Sequence, residues 1–436
     1  MNANKPKKYH FETEALHGGH VIDKETGSRA VPLYRTTAYT FRDSRHAANL
    51  FALKEAGNIY TRIGNPTQEV LEKRLAQLEG GAAALAVASG TAAIFYSVIN
   101  LASEGGEIIT LSNLYGGTYT MFDHILKDFG ISVQFLPLGE INRIPEVVTD
   151  KARAIFVETI GNPGLDVCDL EKAASLSHTC GLPLIVDSTF TTPYIVRPIE
   201  FGADIVVHSL TKWIGGHGTA IGGAVVDSGN FDWAGSGRFP GFTEPDESYH
   251  GLVWSDIETQ EGNSPFITKM RTGALRNLGA AISPDNAWLF LQGLETLALR
   301  MERHCENAQK TAEYLHEHPK VAWVRYPGLP KDPSYATARR FLKKGFGGMV
   351  VFGIKGGSAA GQSFIENLHL FSHLANVGDA KSLAIHPAST THSQLTAEQQ
   401  KAGGLQPELV RLSIGIEHID DILADIEQAL EKLNLE

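Results

Sequence analysis

A chain of 436 residues is too long for one small core and is expected to divide into two or three domains. With 43% hydrophobic and 20% charged residues and a net charge of −11, it reads as an ordinary globular protein with no basic block able to grip a nucleic-acid backbone; Lys5-Pro6-Lys7-Lys8 reads as a frayed start. No run of eighteen apolar residues and no export-type apolar segment near the start are found, and Cys168, Cys180 and Cys305 make no CxxC pair, so a reducing cytoplasm is expected.

Residues 1–62 show little apolar periodicity and read as an extended arm that packs on something else, here a second subunit. Asn65-Pro66 then opens a helix, as N-cap and first helical residue, with Val70, Leu71, Leu75 and Leu78 as its stripe and Gly80-Gly81 as its stop. Small apolar residues, Ala82 to Ala88, lead to Ser89-Gly90-Thr91, where another helix opens. Strands are expected at 107–111, 132–136, 153–157, 183–187 and 204–208, with helices between them at 118–129 and 169–180. Apolar strands separated by helices indicate an α/β fold with a mostly parallel sheet covered on both faces, spanning residues 63–283. Ligands of such sheets bind at the carboxyl ends of the strands, which puts Asp187 and Ser209 on one rim. Residues 228–282 look irregular, and Ser283-Pro284-Asp285 caps one long helix running to His318-Pro319. Residues 284–436 alternate strands and helices as a smaller α+β domain.

The chemistry gathers at Val206-Val207-His208-Ser209-Leu210-Thr211-Lys212. A lysine just past a buried strand loses its proton more easily than a free one and can form a Schiff base. Ser209 and Thr211 can donate to a phosphate, and so can the helix start at Ser89, Gly90 and Thr91, where each bond to a charged group contributes roughly 1.5–3 kcal/mol. Lysine plus phosphate donors is what pyridoxal 5′-phosphate requires. Asp187 could keep its pyridine nitrogen protonated; the plainer alternative is a helix N-cap before Ser188-Thr189. Tyr115 could stack on a ring or serve an interface, Arg411 could clamp a carboxylate or sit in a surface ion pair, and Asn162-Pro163 could be an ordinary turn. His217, His386 and His392 belong to different segments and share no carboxylate, so no metal site is expected. A Ser-His-Asp hydrolase lacks its G-x-S-x-G, and a nicotinamide dehydrogenase lacks G-x-G-x-x-G.

Seven stretches, in order, resemble the Cys/Met-metabolism enzymes that use pyridoxal phosphate, of fold type I. They are Tyr60–Thr67, Ala88–Ala93, Tyr115–Thr118, Asn162-Pro163, Val186–Phe190, His208–Lys212 and His386–His392. The resemblance implies that Lys212 carries the Schiff base and moves protons, Asp187 pairs with the ring nitrogen and Tyr115 stacks on the ring. It implies that Ser89, Gly90, Thr91, Ser209 and Thr211 hold the phosphate, with Tyr60 and Arg62 reaching it from a neighbouring subunit. Asn162, Ser382 and Arg411 would bind the substrate's amino-acid end, Asn162 also lying at the cofactor. Tyr115 and Tyr60 would be acid/base helpers. Homotetramers built from catalytic dimers are implied as well.

Within that family, Phe239–Asp246, Tyr249–Leu252 and Asn376–Leu383 are similar to the sulfhydrylases acting on O-acetylhomoserine. This implies γ-replacement in methionine biosynthesis: O-acetyl-L-homoserine and sulfide give L-homocysteine and acetate. Gly117 stands where methionine γ-lyases tend to have Cys, which counts against a lyase. The alternatives within the family are a cystathionine γ-synthase, an O-succinylhomoserine sulfhydrylase and a methionine or cystathionine γ-lyase. Outside it, the alternative is a non-catalytic scaffold.

Overall fold

The structure, a computed structural model, describes residues 9–390 and 406–433. Lys5–Lys8 and His392 lie outside the described residues.

Two sheets organise the chain. The larger has seven strands: β1 (Ala83–Val87), β2 (Glu107–Leu111), β3 (Ser132–Leu136), β4 (Ala152–Glu158), β5 (Leu184–Asp187), β6 (Ile205–Ser209) and β7 (Gly223–Asp227). Their order is β1-β7-β6-β5-β4-β2-β3, and every pairing is parallel except those of β7. Helices cover both faces. On one, Leu71 and Leu75 pack with Ala84, Val186 and Val206; on the other, Ile94 and Val98 pack with Leu85, Ile185 and Val207. Alternate residues of the central strands feed the two cores, which is why β4, β5 and β6 are largely apolar, whereas the edge strand β3 carries Ser132 and Gln134 and buries only Leu136.

Local chemistry sets the helix starts. In α3 (Pro66–Glu79) the Asn65 side chain accepts from the Thr67 N–H, and Gly80 ends the helix at φ 79°. In α4 (Gly90–Leu101) the Ser89 hydroxyl accepts from the Ala92 N–H at 3.1 Å. Both caps satisfy donors that the first turn leaves without partners.

The smaller sheet has strands β8 (Val321–Arg325), β9 (Met349–Ile354), β10 (Ser372–His373), β11 (Leu383–Ile385) and β12 (Leu409–Ser413), in the order β10-β11-β12-β9-β8. Its residues Met349, Val351 and Leu409 join the same hydrophobic cluster as Val157 and Trp213, so the two sheets share packing at the rim.

Four local expectations need correction. The first 62 residues are not an extended arm throughout: α1 (Phe11–His17) and α2 (Ser44–Phe51) form within them. Helix α1 docks on its own chain, with Phe11 edge-on to Tyr194 at 5.3 Å and the Gly18 carbonyl held by Arg74. It is too short for its two buried residues, Phe11 and Ala15, to show a period. The rest of the arm does leave apolar side chains outside, Val21 at 75% and Ile22 at 56% exposure. The long helix breaks at Thr296 into Pro284–Glu295, which packs on α3, and Leu297–Glu317. The irregular stretch contains a helix from Pro265 to Leu278 with a π turn at Arg271–Leu275. Strand β7, finally, follows a glycine run that disguised it: only Ala224, Val225 and Val226 are apolar.

Candidate functional site

The carboxyl ends of β4, β5 and β6 and the start of α4 meet on one rim. Lys212 leaves the turn after β6, and its Nζ donates to Asn376 Oδ1 at 2.6 Å. Burial draws this amine down to about 8, and the positive charge of Arg411 adds to the effect. The turn is pinned from behind by Arg300. Its guanidinium donates to the carbonyls of Trp213 at 2.7 Å, Ile214 at 3.1 Å and Gly293 at 2.7 Å. Burial draws Arg300 down to about 10.

A lysine with this amine should react as a neutral nucleophile at far lower pH than an ordinary one near 10.4. In cofactor-free protein, labelling of Lys212 by trinitrobenzenesulfonate, followed by peptide mass mapping, is expected to rise through about pH 8. Arg411→Gln removes the neighbouring positive charge and should move that midpoint upward. A wild-type midpoint above 10 is the result that contradicts this.

Asp187 ends β5, in register with Glu158 at the end of β4. Burial pushes the Asp187 carboxyl up, while hydrogen bonds from Thr189 and the charge of His208 pull it down. The Thr189 N–H reaches Asp187 Oδ1 at 2.9 Å, and the Thr189 hydroxyl accepts from the Ser209 N–H at 2.8 Å. One threonine thus ties the carboxylate to the phosphate-donor turn. Glu158 is pushed well above the usual carboxylate range by burial and by Asp187, and accepts the Tyr115 N–H at 2.7 Å. A protonated Glu158 beside Asp187 avoids two adjacent negative charges.

Gly90 lies hard against Ser209: an added Cβ would stand 2.6 Å from the Ser209 Cβ and 2.9 Å from its Cα. Gly223 is equally confined, by the Ser89 carbonyl at 2.1 Å. These glycines bring the first turn of α4 against the Ser209–Thr211 turn, forming a cup of N–H groups and hydroxyls. Ser89 and Thr91 share a hydroxyl contact of 3.0 Å. The Thr211 hydroxyl donates to the Gly222 carbonyl at 3.2 Å. A phosphate fits such a cup, with the helix N-terminus beneath it. An amine, a carboxylate and an anion cup on one rim fit the three ends of pyridoxal phosphate.

Arg411, in β12, donates to Asn162 Oδ1 at 3.1 Å, and both are buried. Burial draws the guanidinium down to about 10, against an upward pull from the Tyr115 hydroxyl. Among the described residues Arg411 has no carboxylate within ion-pair distance, so it is not in the surface ion pair that served as its plainer alternative. The Tyr115 ring is half exposed and folds over Gly117, where a Cβ would meet the ring at 2.6 Å.

Three sequence candidates are placed differently. Tyr60 and Arg62 are exposed, the guanidinium 5.2 Å from the Tyr60 ring centre, and neither contacts the Lys212 rim within this chain. Ser382 has no exposure: its hydroxyl donates to Glu417 at 2.9 Å and accepts from the Gly415 N–H at 2.9 Å. Its hydroxyl is therefore engaged by the segment just after β12, at Gly415 and Glu417. His217 is exposed and His386 is engaged by Ser389 and Pro407.

Sequence reasoning gave no site role to Glu158 or Arg300, nor to Asn376 and Thr189, which it named only within the stretches that carry the resemblance. Glu158 was readable as a carboxylate ending an apolar strand, the same signal that singled out Asp187. Asn376 lies 164 residues from Lys212 in a loop without period, and no spacing announces it.

The family model for Cys/Met-metabolism pyridoxal-phosphate-dependent enzymes matches residues 12–431. An O-acetyl-L-homoserine sulfhydrylase of Leptospira meyeri is 54% identical, the alignment covering 98% of each chain. A homocysteine synthase of Schizosaccharomyces pombe is 51% identical, over 97% of this chain and 98% of its own. Among solved structures, the metY protein of Campylobacter jejuni subsp. jejuni superposes with a TM-score of 0.94 at 40% identity, covering 97% of this chain and all of that one. One of its lysines is an N′-pyridoxyl-lysine-5′-monophosphate.

Proposed function

The chain belongs to the Cys/Met-metabolism family of pyridoxal-phosphate-dependent enzymes, and from that premise we propose that it performs γ-replacement on O-acetyl-L-homoserine. Sulfide adds at the γ-carbon, acetate leaves, and L-homocysteine is the product. The observation that carries this reading is the placement of Arg411 within electrostatic reach of the Lys212 amine. A carboxylate anchor and a proton-moving amine then serve one amino-acid substrate. The names of the full-length relatives speak for the acetyl ester and for sulfide.

Pyridoxal phosphate, when bound, supplies an aldehyde that joins amines and a pyridinium that draws electrons from the substrate's α-carbon. Gly90, Thr91, Ser209 and Thr211 hold the phosphate, with Ser89 capping the helix beneath. Asp187 would pair with the ring nitrogen, and that positive partner would offset the burial that pushes its carboxyl up. Lys212 would take the substrate's α-proton; an amine near 8 is neutral in part at neutral pH and so can act as a base. Arg411 and Asn162 bind the substrate carboxylate, with Ser382 contributing through the backbone it positions. Tyr115, over Gly117, lies against the ring and assists proton transfer in the γ-step. Tyr60 and Arg62 complete the phosphate site of a second copy, which also covers the exposed apolar residues of the arm. The assembly is a homotetramer of such dimers, working in the cytoplasm in methionine biosynthesis.

Purified protein given O-acetyl-L-homoserine with and without sulfide tests the reaction. Homocysteine and acetate are expected only with sulfide. 2-Oxobutyrate and ammonia at the same rate without sulfide would replace this reading with a γ-lyase. Preference for cysteine over sulfide would replace it with a cystathionine γ-synthase, and preference for the succinyl ester with an O-succinylhomoserine sulfhydrylase.

A further inference from the structure

A cavity of about 270 Å³ lies away from the Lys212 rim, between the far end of α4 and the 246–278 stretch. Its volume is that of roughly nine liquid waters, enough for a small organic molecule. Asp246 and Lys269 line it, and among the described residues they form no ion pair with each other or with a third group. Lys269 Nζ donates to the Asn100 carbonyl at 2.9 Å and to Asn100 Oδ1 at 3.4 Å, and sits 4.8 Å above the Phe242 ring. An ammonium has three donors, so one is left over. Burial draws the amine down to about 8, with Asp246 pulling it up. Asp246 accepts from the Ser248 N–H at 2.9 Å, the Ser248 hydroxyl at 2.6 Å and the Trp254 indole at 2.9 Å. Burial pushes its carboxyl up, but these bonds outweigh that and hold it below the usual range, so it stays ionised. Oδ1 takes both Ser248 bonds, and Oδ2, bonded once by Trp254, keeps a free lone pair.

One wall is the π turn Arg271–Leu275, and such turns recur at functional sites. Gly273 lies in that turn, and a Cβ there would meet nothing within 4 Å. Ile99, Ala274 and Leu278 make an apolar surface, and Tyr249 and Trp254, 5.2 Å apart, an aromatic one.

We infer that this cavity is a second binding site, for a free α-amino acid with an apolar side chain, its ammonium on Asp246 and its carboxylate on Lys269. A simple carboxylate would meet the Asp246 charge and a simple amine the Lys269 charge; only a zwitterion satisfies both. Helix α4 runs from the cavity, at Ile99 and Asn100, to the phosphate cup at Gly90, a span of about 15 Å.

The probe is L-norleucine, which has no γ-leaving group, titrated into holoenzyme by calorimetry with cofactor absorbance recorded in parallel. Binding at the Lys212 rim changes the absorbance, whereas binding in the cavity does not. Two classes of site are expected, one of them silent in absorbance. Asp246→Asn and Lys269→Met should each weaken the silent class by about tenfold or more. Gly273→Leu, which projects a side chain into open space and favours the helix, should abolish it while leaving the thermal midpoint at least as high. A single class tracked wholly by absorbance overturns the inference. So does a silent class that survives Gly273→Leu, or butyrate binding silently as tightly as norleucine. The readout requires no turnover, so it stands whether or not the γ-replacement reading does.

Discussion

Lys212→Ala is expected to lower turnover of O-acetyl-L-homoserine by about 10⁴-fold or more, the largest effect of any single substitution in the chain. Two losses combine. The amine proposed to join the cofactor covalently is gone, and so is the base proposed for the α-carbon. The variant should still bind cofactor, because the cup at Gly90, Thr91, Ser209 and Thr211 is untouched. Borohydride treatment separates the two roles: it should fix the cofactor to wild-type protein at Lys212 and leave none attached to the variant. Added methylamine should restore the amine exchange without restoring the placed base, so rescue should be partial. A variant turning over within about tenfold of wild type would sink the assignment of Lys212.

Asp187→Ala is expected to cost about 10²–10³-fold in turnover, the range for removing one charged group that stabilises a transition state. The neighbouring Glu158 cannot take over. It is in register with Asp187 but one strand away, held by the Tyr115 N–H and pushed well above the usual carboxylate range by burial. Asp187→Asn keeps the Thr189 contact and the shape of the site while losing the charge. It should therefore retain cofactor and fold like wild type, yet fall nearly as far in turnover. Cofactor content and thermal midpoint, measured beside kcat, distinguish this from a folding defect. If Asp187→Asn turns over at close to the wild-type rate, the charge of Asp187 is irrelevant and the ring-nitrogen role is wrong.

Much of the α/β sheet was legible because its central strands are buried on both faces and therefore largely apolar, and the edge strand β3 still carries Val133, Phe135 and Leu136. Five strands were placed to within a residue or two on that signal alone. Strand β7 escaped because Gly222, pressed by the Phe290 ring, and Gly223, pressed by Ser89, look like a loop. The break at Thr296 escaped because the residues on both sides keep three-and-four spacing, and nothing in a period reports a change of axis. At the site, Asp187, Ser209, Thr211 and Lys212 were readable because each follows an apolar run at the rim. Arg411 and Asn162 were named individually, but their hydrogen bond spans 249 residues and only folding brings it about. Tyr60 and Arg62 came from resemblance alone, and a single chain leaves them exposed. Ser382 came the same way, and its hydroxyl faces Glu417.

The groups that hold Lys212 in place all come later in the chain: Gly293 and Arg300 behind the turn, Asn376 at the amine, Arg411 nearby. The strands that carry the cup are synthesised by residue 227, and the last of these partners sits nearly two hundred residues further on. On the ribosome, then, a nascent chain can display a phosphate cup well before it has an ordered lysine. Until Asn376 has emerged the amine lacks its hydrogen-bond acceptor, and until β12 has followed and paired with β9 it lacks the Arg411 charge that helps lower its proton affinity. Completion of the site is consequently expected to come late: a chain that stops before β12 lacks the Arg411 charge beside Lys212.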